Sequence, residues 1–220
     1  MTVILHHLNN SRSQRIIWLL EELELQYEVK KYERHPETFL AQDDLKKLHP
    51  LGKSPVITDD GLTIAESGAI IEYLVSKYGN GCLKPKDQKE WVQYLFWLHH
   101  AEGSAMLYML ERFHLRNMAT PEVQEKMISS FLQPAQQKEL DFVEGELSKS
   151  EYLAGDTFSA CDIQMAFVLE FAEVLEKSFA PKRPKIAAYM ERVRSRPAYK
   201  RAIEKGDMRY ELSDFSKRFY

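Results

Sequence analysis

The chain has 220 residues, 44% apolar and 29% charged, which suits one large or two small hydrophobic cores and excludes a disordered chain. Its formal net charge of −3 gives no electrostatic reason to seek nucleic acid or an anionic membrane, and leaves small molecules or proteins as partners. Cys82 and Cys161 are far apart and form no CxxC or metal spacing, so the expected compartment is reducing, the cytoplasm, with no disulfide framework.

In chain order, Met1 to Leu8 lacks the basic start and long apolar run of a signal peptide, and no stretch reaches membrane-spanning length. Thr2 to Leu8 reads as a strand. Ser11 to Leu23 reads as a helix, with Ile16, Leu19, Leu20 and Leu23 at i, i+3, i+4 and i+7. The polar turn Asn9-Asn10-Ser11-Arg12-Ser13 lies between them. Tyr27 to Tyr32 alternates as a second strand, and a short helical patch follows at Asp44 to Leu48.

The densest punctuation is at His49 to Tyr78. Pro55 cannot donate to a ladder, so Gly52-Lys53-Ser54-Pro55 opens the β-prone run Val56-Ile57-Thr58. Asp59-Asp60-Gly61 is a hairpin signal before Leu62-Thr63-Ile64. Glu66-Ser67-Gly68 then opens a helix with Ile70, Tyr73, Leu74 and Tyr78 on one face. A helix N-terminus with a hydroxyl beside it suits a carboxylate, and Glu66 suits an ammonium group. Together they match a ligand end carrying both charges, as an amino acid does. A cis Ser54-Pro55 bond would turn the Ser54 backbone outward to pair with a peptide ligand.

Gly79-Asn80-Gly81 ends that helix, and the charged, Pro85-containing run Lys84 to Lys89 is the expected linker. Domain boundaries are expected at 1–81 and 88–220. The second domain reads as all helix, with stripes at Trp91, Tyr94, Leu95 and Leu98 and at Ile186, Tyr189, Met190 and Val193. Pro121 suits a first helical turn, whereas Pro134 should kink or split the pattern from Val123 to Leu147, and Gly145 weakens it further. Ser159 and Asp162 can cap the helix carrying Ile163, Ala166, Phe167 and Phe171. The pairs His6-His7 and His99-His100 do not suggest a metal, because adjacent residues point in different directions.

Ser54-Pro55 before a strand followed by Glu66-Ser67 opening a helix resembles the glutathione site of the glutathione transferase superfamily. Tyr152-Leu153-Ala154-Gly155-Asp156 before Ser159-Ala160-Cys161-Asp162 extends the resemblance to the second half. The run His49 to Pro55 and the run Asp141 to Leu147 are similar to a fungal and bacterial subgroup allied to theta-like, serine-using classes. The resemblance implies an α/β thioredoxin-like N-terminal domain plus an all-α C-terminal domain. It further implies glutathione as co-substrate, an apolar electrophile as second substrate, related hydroperoxide reduction, and a homodimer.

By that resemblance the γ-glutamyl end of glutathione sits on Glu66 and Ser67, its cysteinyl backbone on Ser54 beside Pro55, and its glycyl carboxylate near Lys53. The catalytic residue is Ser11, in the strand-to-helix turn where serine-type members keep their hydroxyl; Ser13 is the next candidate and Arg12 an electrostatic helper. Ser11 also reads as a plain helix cap. Tyr108, Met109, Phe113 and Met106 resemble the electrophile wall, in what is expected to be the first helix of the second domain. A non-catalytic binding or regulatory protein on the same fold is the alternative.

One hydroxyl suffices in magnitude. A thiol near pKa 8.5 is mostly thiolate at neutral pH once lowered to about 6.5, a change of ~2.7 kcal/mol. A hydrogen bond to the charged sulfur supplies ~1.5–3 kcal/mol and a helix N-terminus ~0.3–1 kcal/mol.

Overall fold

The computed structural model describes residues 2–35, 41, 43–176 and 179–206. Strands β1 (Val3–Leu8), β2 (Tyr27–Tyr32), β3 (Val56–Asp59) and β4 (Leu62–Ala65) form one mixed sheet in the order β2-β1-β3-β4. β1 and β2 run parallel, Leu5 opposite Val29, which requires the crossover that helix α1 (Ser13–Glu22) supplies. β3 is antiparallel to both neighbours, with Ile57 opposite Leu5 and Ile64. Asp60 and Gly61 take φ of 47° and 79°, the positive pair that a two-residue hairpin needs. Helices α2 (Asp43–Leu48) and α3 (Ser67–Tyr78) complete the α/β arrangement expected of a thioredoxin-like unit.

Two differences from the sequence reading have physical causes. Helix α1 is buried from Ser13 to Glu21 rather than along one stripe, because helix α11 (Pro197–Gly206) covers its outer side. The chain accordingly groups into one compact unit through Lys84 together with the segment from Val193, and another from Pro85 to Arg192. Sequence periodicity carries the helical domain on to the C-terminus and gives no hint of this return. In α3, Tyr73 and Tyr78 leave the apolar stripe: both donate to buried Asp59, at 2.8 and 2.7 Å, and Lys77 joins them at 2.8 Å. The core face is Ile70, Ile71, Leu74 and Val75.

The second unit contains α4 (Gln88–His100), α5 (Met106–Met118), α6 (Pro121–Gln124), α7 (Gln133–Glu146), α8 (Ala160–Leu175), α9 (Phe179–Lys182) and most of α10 (Pro184–Ser195). Among the described residues it holds no strand beyond an isolated bridge, Tyr152 to Gly155. Asp87 caps α4 by accepting from the N–H groups of Lys89 and Glu90. In α4 the buried residues are Tyr94, Trp97 and Leu98, while Trp91 of the expected stripe is exposed. The second stripe, Ile186, Tyr189, Met190 and Val193, is fully buried. Pro134 does not split its segment: a π-helical stretch, Glu125–Leu132, widens the coil ahead of it, and the proline sits in the first turn of α7.

Candidate active site

The turn between β1 and α1 is shaped by its own sequence. Asn10 takes φ 48°, a left-handed conformation that Asn tolerates well. The Arg34 guanidinium donates to the carbonyls of Asn9 and Asn10 at 3.0 Å each, which fixes the loop that carries Ser11. Helix α1 begins two residues after Ser11, with Arg12 at the cap position and no side-chain cap. Ser11 Oγ nevertheless accepts the Ser13 N–H at 3.2 Å, so the hydroxyl tightens the turn without being a conventional cap.

The two serines are not equivalent. Ser13 is wholly buried and Ser11 is half-buried, so Ser11 is the hydroxyl of the pair with access to a ligand. Their oxygens are 2.7 Å apart. Ser13 Oγ also accepts the Leu8 N–H at 3.3 Å and lies 2.8 Å from His7 Nδ1. His7 Nε2 lies 2.9 Å from the Gly206 carbonyl. Adjacent His6 points to the other face of the sheet, toward Tyr32 Oη at 2.9 Å and Thr58 Oγ1 at 3.4 Å. Burial, reinforced by Lys30, holds its pKa below the usual imidazole value.

The Ser54–Pro55 bond is cis. Ser54 Oγ donates to the His6 carbonyl at 3.0 Å, and Pro55 is buried at the start of β3. Gly52 has φ 58°, a left-handed conformation that glycine adopts without strain, and a Cβ there would have to push the exposed Lys46 side chain aside from 2.6 Å. Lys53 is exposed.

Glu66 takes φ 72° and ψ 119°, a conformation that costs a non-glycine residue ~1–3 kcal/mol and persists where surrounding structure imposes it. Its carboxylate stays exposed and makes no cap for α3. The N–H groups of the first turn of α3 therefore have no side-chain cap from Glu66. Ser67 is buried, and its Oγ accepts from Arg15 Nη1 at 3.2 Å. Three separated segments are thus tied to one strand-turn-helix: Ser54 through the His6 carbonyl, Ser67 through Arg15, and Ser11 through Ser13 and His7. Arg15, His7, Arg34 and Gly206 were not legible as site supports, although a buried arginine on α1 is a signal that a burial pattern could supply.

In the second unit, Met106 and Met109 are core residues, buried to 2% and 0% exposure. Tyr108 meets the Phe131 ring at 6.4 Å and Phe113 meets Phe171 at 5.6 Å, both partly exposed. All four lie on α5, which continues from α4 through the π-helical stretch Ala101–Ala105 without a break.

Comparison with known proteins gives the family and the fold. Family profiles described as "Glutathione S-transferase, N-terminal domain" and "Glutathione S-transferase, C-terminal domain" match residues 1–76 and 106–197. Glutathione S-transferase 3 of Schizosaccharomyces pombe is 38% identical over 92% of this chain and 87% of its own. Glutathione S-transferase 1 of Saccharomyces cerevisiae is 32% identical over 91% of this chain and 93% of its own. The crystal structure of a glutathione S-transferase from Actinobacillus pleuropneumoniae superimposes with TM-score 0.84 at 30% identity, covering 100% of this chain and 99% of that one.

Proposed function

Because the chain belongs to the glutathione S-transferase superfamily, we propose that Ser11 holds and ionises the thiol of glutathione, whose γ-glutamyl end lies at Glu66 and Ser67 and whose cysteinyl backbone lies at Ser54 beside Pro55. The protein is an enzyme, a glutathione transferase, with glutathione as co-substrate. The observation that carries the placement is the convergence of the Ser11, Ser54 and Ser67 segments on β1 and α1 by hydrogen bonds of 2.7–3.2 Å. The strained, exposed Glu66 supports it, since such conformations cluster at ligand clamps. Lys53, exposed in the turn before Ser54, reaches the glycyl carboxylate.

The chemistry is nucleophilic substitution or addition at an apolar electrophile, with reduction of organic hydroperoxides as a related outcome. The Ser11 hydroxyl donates to the thiolate, the carbon–sulfur bond forms, and the leaving group departs. Tyr108 and Phe113 receive the electrophile. The acceleration comes from thiolate generation and proximity. The protein acts in detoxification in the cytoplasm as a homodimer, in which Trp91, Val92 and Phe96, exposed by 37–52%, gain cover from a second copy.

The test is retention on immobilised glutathione together with conjugation of a reactive aryl halide, repeated with Ser11→Ala. The variant keeps glutathione affinity within a few-fold, while the pKa of the bound thiol rises by about one to two units, read from ultraviolet thiolate absorbance. An unchanged thiol pKa would overturn the assignment of Ser11.

A further inference from the structure

The Ser11 pair continues inward as a single file of hydrogen bonds: Ser11 Oγ to Ser13 Oγ at 2.7 Å, Ser13 Oγ to His7 Nδ1 at 2.8 Å, and His7 Nε2 to the Gly206 carbonyl at 2.9 Å. The last contact fixes the direction of the file. A carbonyl can only accept, so His7 Nε2 carries a hydrogen, and in the neutral ring Nδ1 is the acceptor. Ser13 then donates to Nδ1 at 2.8 Å, the nearer acceptor than the Leu8 carbonyl at 3.2 Å, while accepting from the Ser11 hydroxyl and from the Leu8 N–H. Resting on the assignment of glutathione to Ser11, we propose that this file is a proton relay, in which Ser13 and His7 act as positioning residues and His7 receives the proton lost by the thiol.

The step balances. The thiol hydrogen passes to Ser11 Oγ, the former Ser11 hydrogen to Ser13 Oγ, and the former Ser13 hydrogen to His7 Nδ1. The S–H bond breaks and an N–H bond forms. The sulfur keeps the electron pair as thiolate, and the ring becomes imidazolium. Every donor in the file then points toward the sulfur: His7 Nδ1–H to Ser13, Ser13 O–H to Ser11, Ser11 O–H to the thiolate.

In water, moving a proton from a thiol near pKa 8.5 to an imidazole near 6.5 is unfavourable by about a factor of 100. Two features of the fold oppose that. The Gly206 carbonyl stands 2.9 Å from His7 Nε2, and a charged imidazolium gains more from that hydrogen bond than the neutral ring does. The thiolate supplies the opposite charge through a dry file, since His7 and Ser13 are 1% and 0% exposed. Among the described residues, the charged side chains of the surrounding elements are engaged elsewhere or face water. Arg15 donates to Ser67, Glu21 holds Arg201 and Lys205, Glu22 holds Arg196, and Lys31, the register neighbour of His7 on β2, is exposed.

Docking of α11 sets the geometry. Gln14 Nε2 donates to the Ala202 carbonyl at 2.7 Å, and a Cβ on Gly206 would stand 1.8 Å from Gln14 Oε1. Glycine is needed there for the carbonyl to reach His7.

The relay is tested on the whole protein by titrating in glutathione at neutral pH in two buffers of different ionisation enthalpy, with thiolate absorbance read in parallel. The expected result is thiolate formation without proton release; one proton released per thiolate formed would overturn the relay. Ser13→Ala and His7→Asn, whose amide can accept from Ser13 but cannot take a proton, should each raise the bound-thiol pKa by about one to two units, a loss of ten- to a hundredfold in thiolate at lower pH. His7→Gln keeps a donor for Gly206 and controls for docking of α11: if it behaves as the parent, the histidine's role is structural and the proposal fails. The two readings fail differently. If Ser11→Ala loses thiolate while Ser13→Ala and His7→Asn keep the parent pKa, the relay falls and Ser11 stands. If the parent itself forms no thiolate with glutathione, or Ser11→Ala keeps the parent's pKa, the assignment of Ser11 falls first.

Discussion

Each unit pins its last described helix with a buried carboxylate, and the two solve the problem in opposite ways. In the first, Glu21 of α1 receives Arg201 at 2.6 Å, Lys205, and the Tyr27 hydroxyl at 2.5 Å. In the second, Asp162 of α8 is held by neutral donors alone: the N–H groups of Leu153 and Ser159, the Ser159 hydroxyl, and the Tyr189 hydroxyl of α10. Burial raises the pKa of both. For Glu21 it is outweighed by the Lys205, Tyr27 and Arg201 hydrogen bonds, which bring the carboxyl down to about 2. For Asp162 burial wins, and its pKa is raised. The cation-held site is thus a charge device that acid removes. The neutral-donor site is a shape device that also forms the capping box of α8.

The largest effect separating the two is expected from Asp162→Ala, which strips the acceptor from two buried N–H groups and the Tyr189 hydroxyl at once. The loss should be about 3–4 kcal/mol in urea unfolding. The pH sense also differs. A raised carboxyl pKa contributes stability that is fully present below the ordinary value of 3.8 and declines as pH rises through the folded value. Asp162→Asn should remove that decline, and an unchanged slope would break the comparison.

Glu21→Gln should cost less, about 2 kcal/mol, because Arg201 and Lys205 are half-exposed and solvent screens their charges. The sign is reversed. Its folded pKa is depressed, so its contribution is present above the ordinary 4.5 and is lost as pH falls toward about 2. Trp18 reports on the docking of α11, since it meets the Tyr199 ring edge-on at 5.2 Å. Its fluorescence should change between pH 4.5 and 2 in the parent and not in the variant.

A third carboxylate, Glu66, is neither buried nor paired into a helix clamp, and its expected work is outside the fold. Glu66→Gln should leave the unfolding midpoint nearly unchanged while weakening glutathione binding by about 1–3 kcal/mol in calorimetry. Equal affinity would place the γ-glutamyl end elsewhere.

These carboxylates show what a sequence can carry. Ser159 and Asp162 were readable because a capping box is local, its two residues only three positions apart. The hairpin at Asp60-Gly61 and the opening of α3 at Ser67 were readable for the same reason. Glu21 was not, because its partners are 180 and 184 residues away. Ser11 was legible through its turn, but the burial that sets it apart from Ser13 and the link through His7 to Gly206 depend on α11, which periodicity had assigned to the helical domain. Tyr73 and Tyr78 misled in another way. Amphipathic rings satisfy an apolar pattern while their hydroxyls serve a buried acceptor, here Asp59.

The smallest expected effect contrasts two helical glycines, one in each unit. At Gly206 an added methyl collides with Gln14, so alanine there should dislodge α11. At Gly145, in the last turn of α7, a Cβ meets nothing within 4 Å, and its φ is not in the left-handed region. Its carbonyl accepts from the Ser148 hydroxyl at 2.6 Å, a contact a methyl group does not touch. Alanine therefore keeps every native interaction and reduces the freedom of the unfolded chain, which is worth about 0.4–1 kcal/mol. In a chain of this length that corresponds to a rise of about 1–4 °C in Tm. Calorimetry of Gly145→Ala should show it with aryl halide turnover unchanged. A fall in Tm would mean that the close of α7 needs the freedom of glycine, and that the two glycines are more alike than their surroundings indicate.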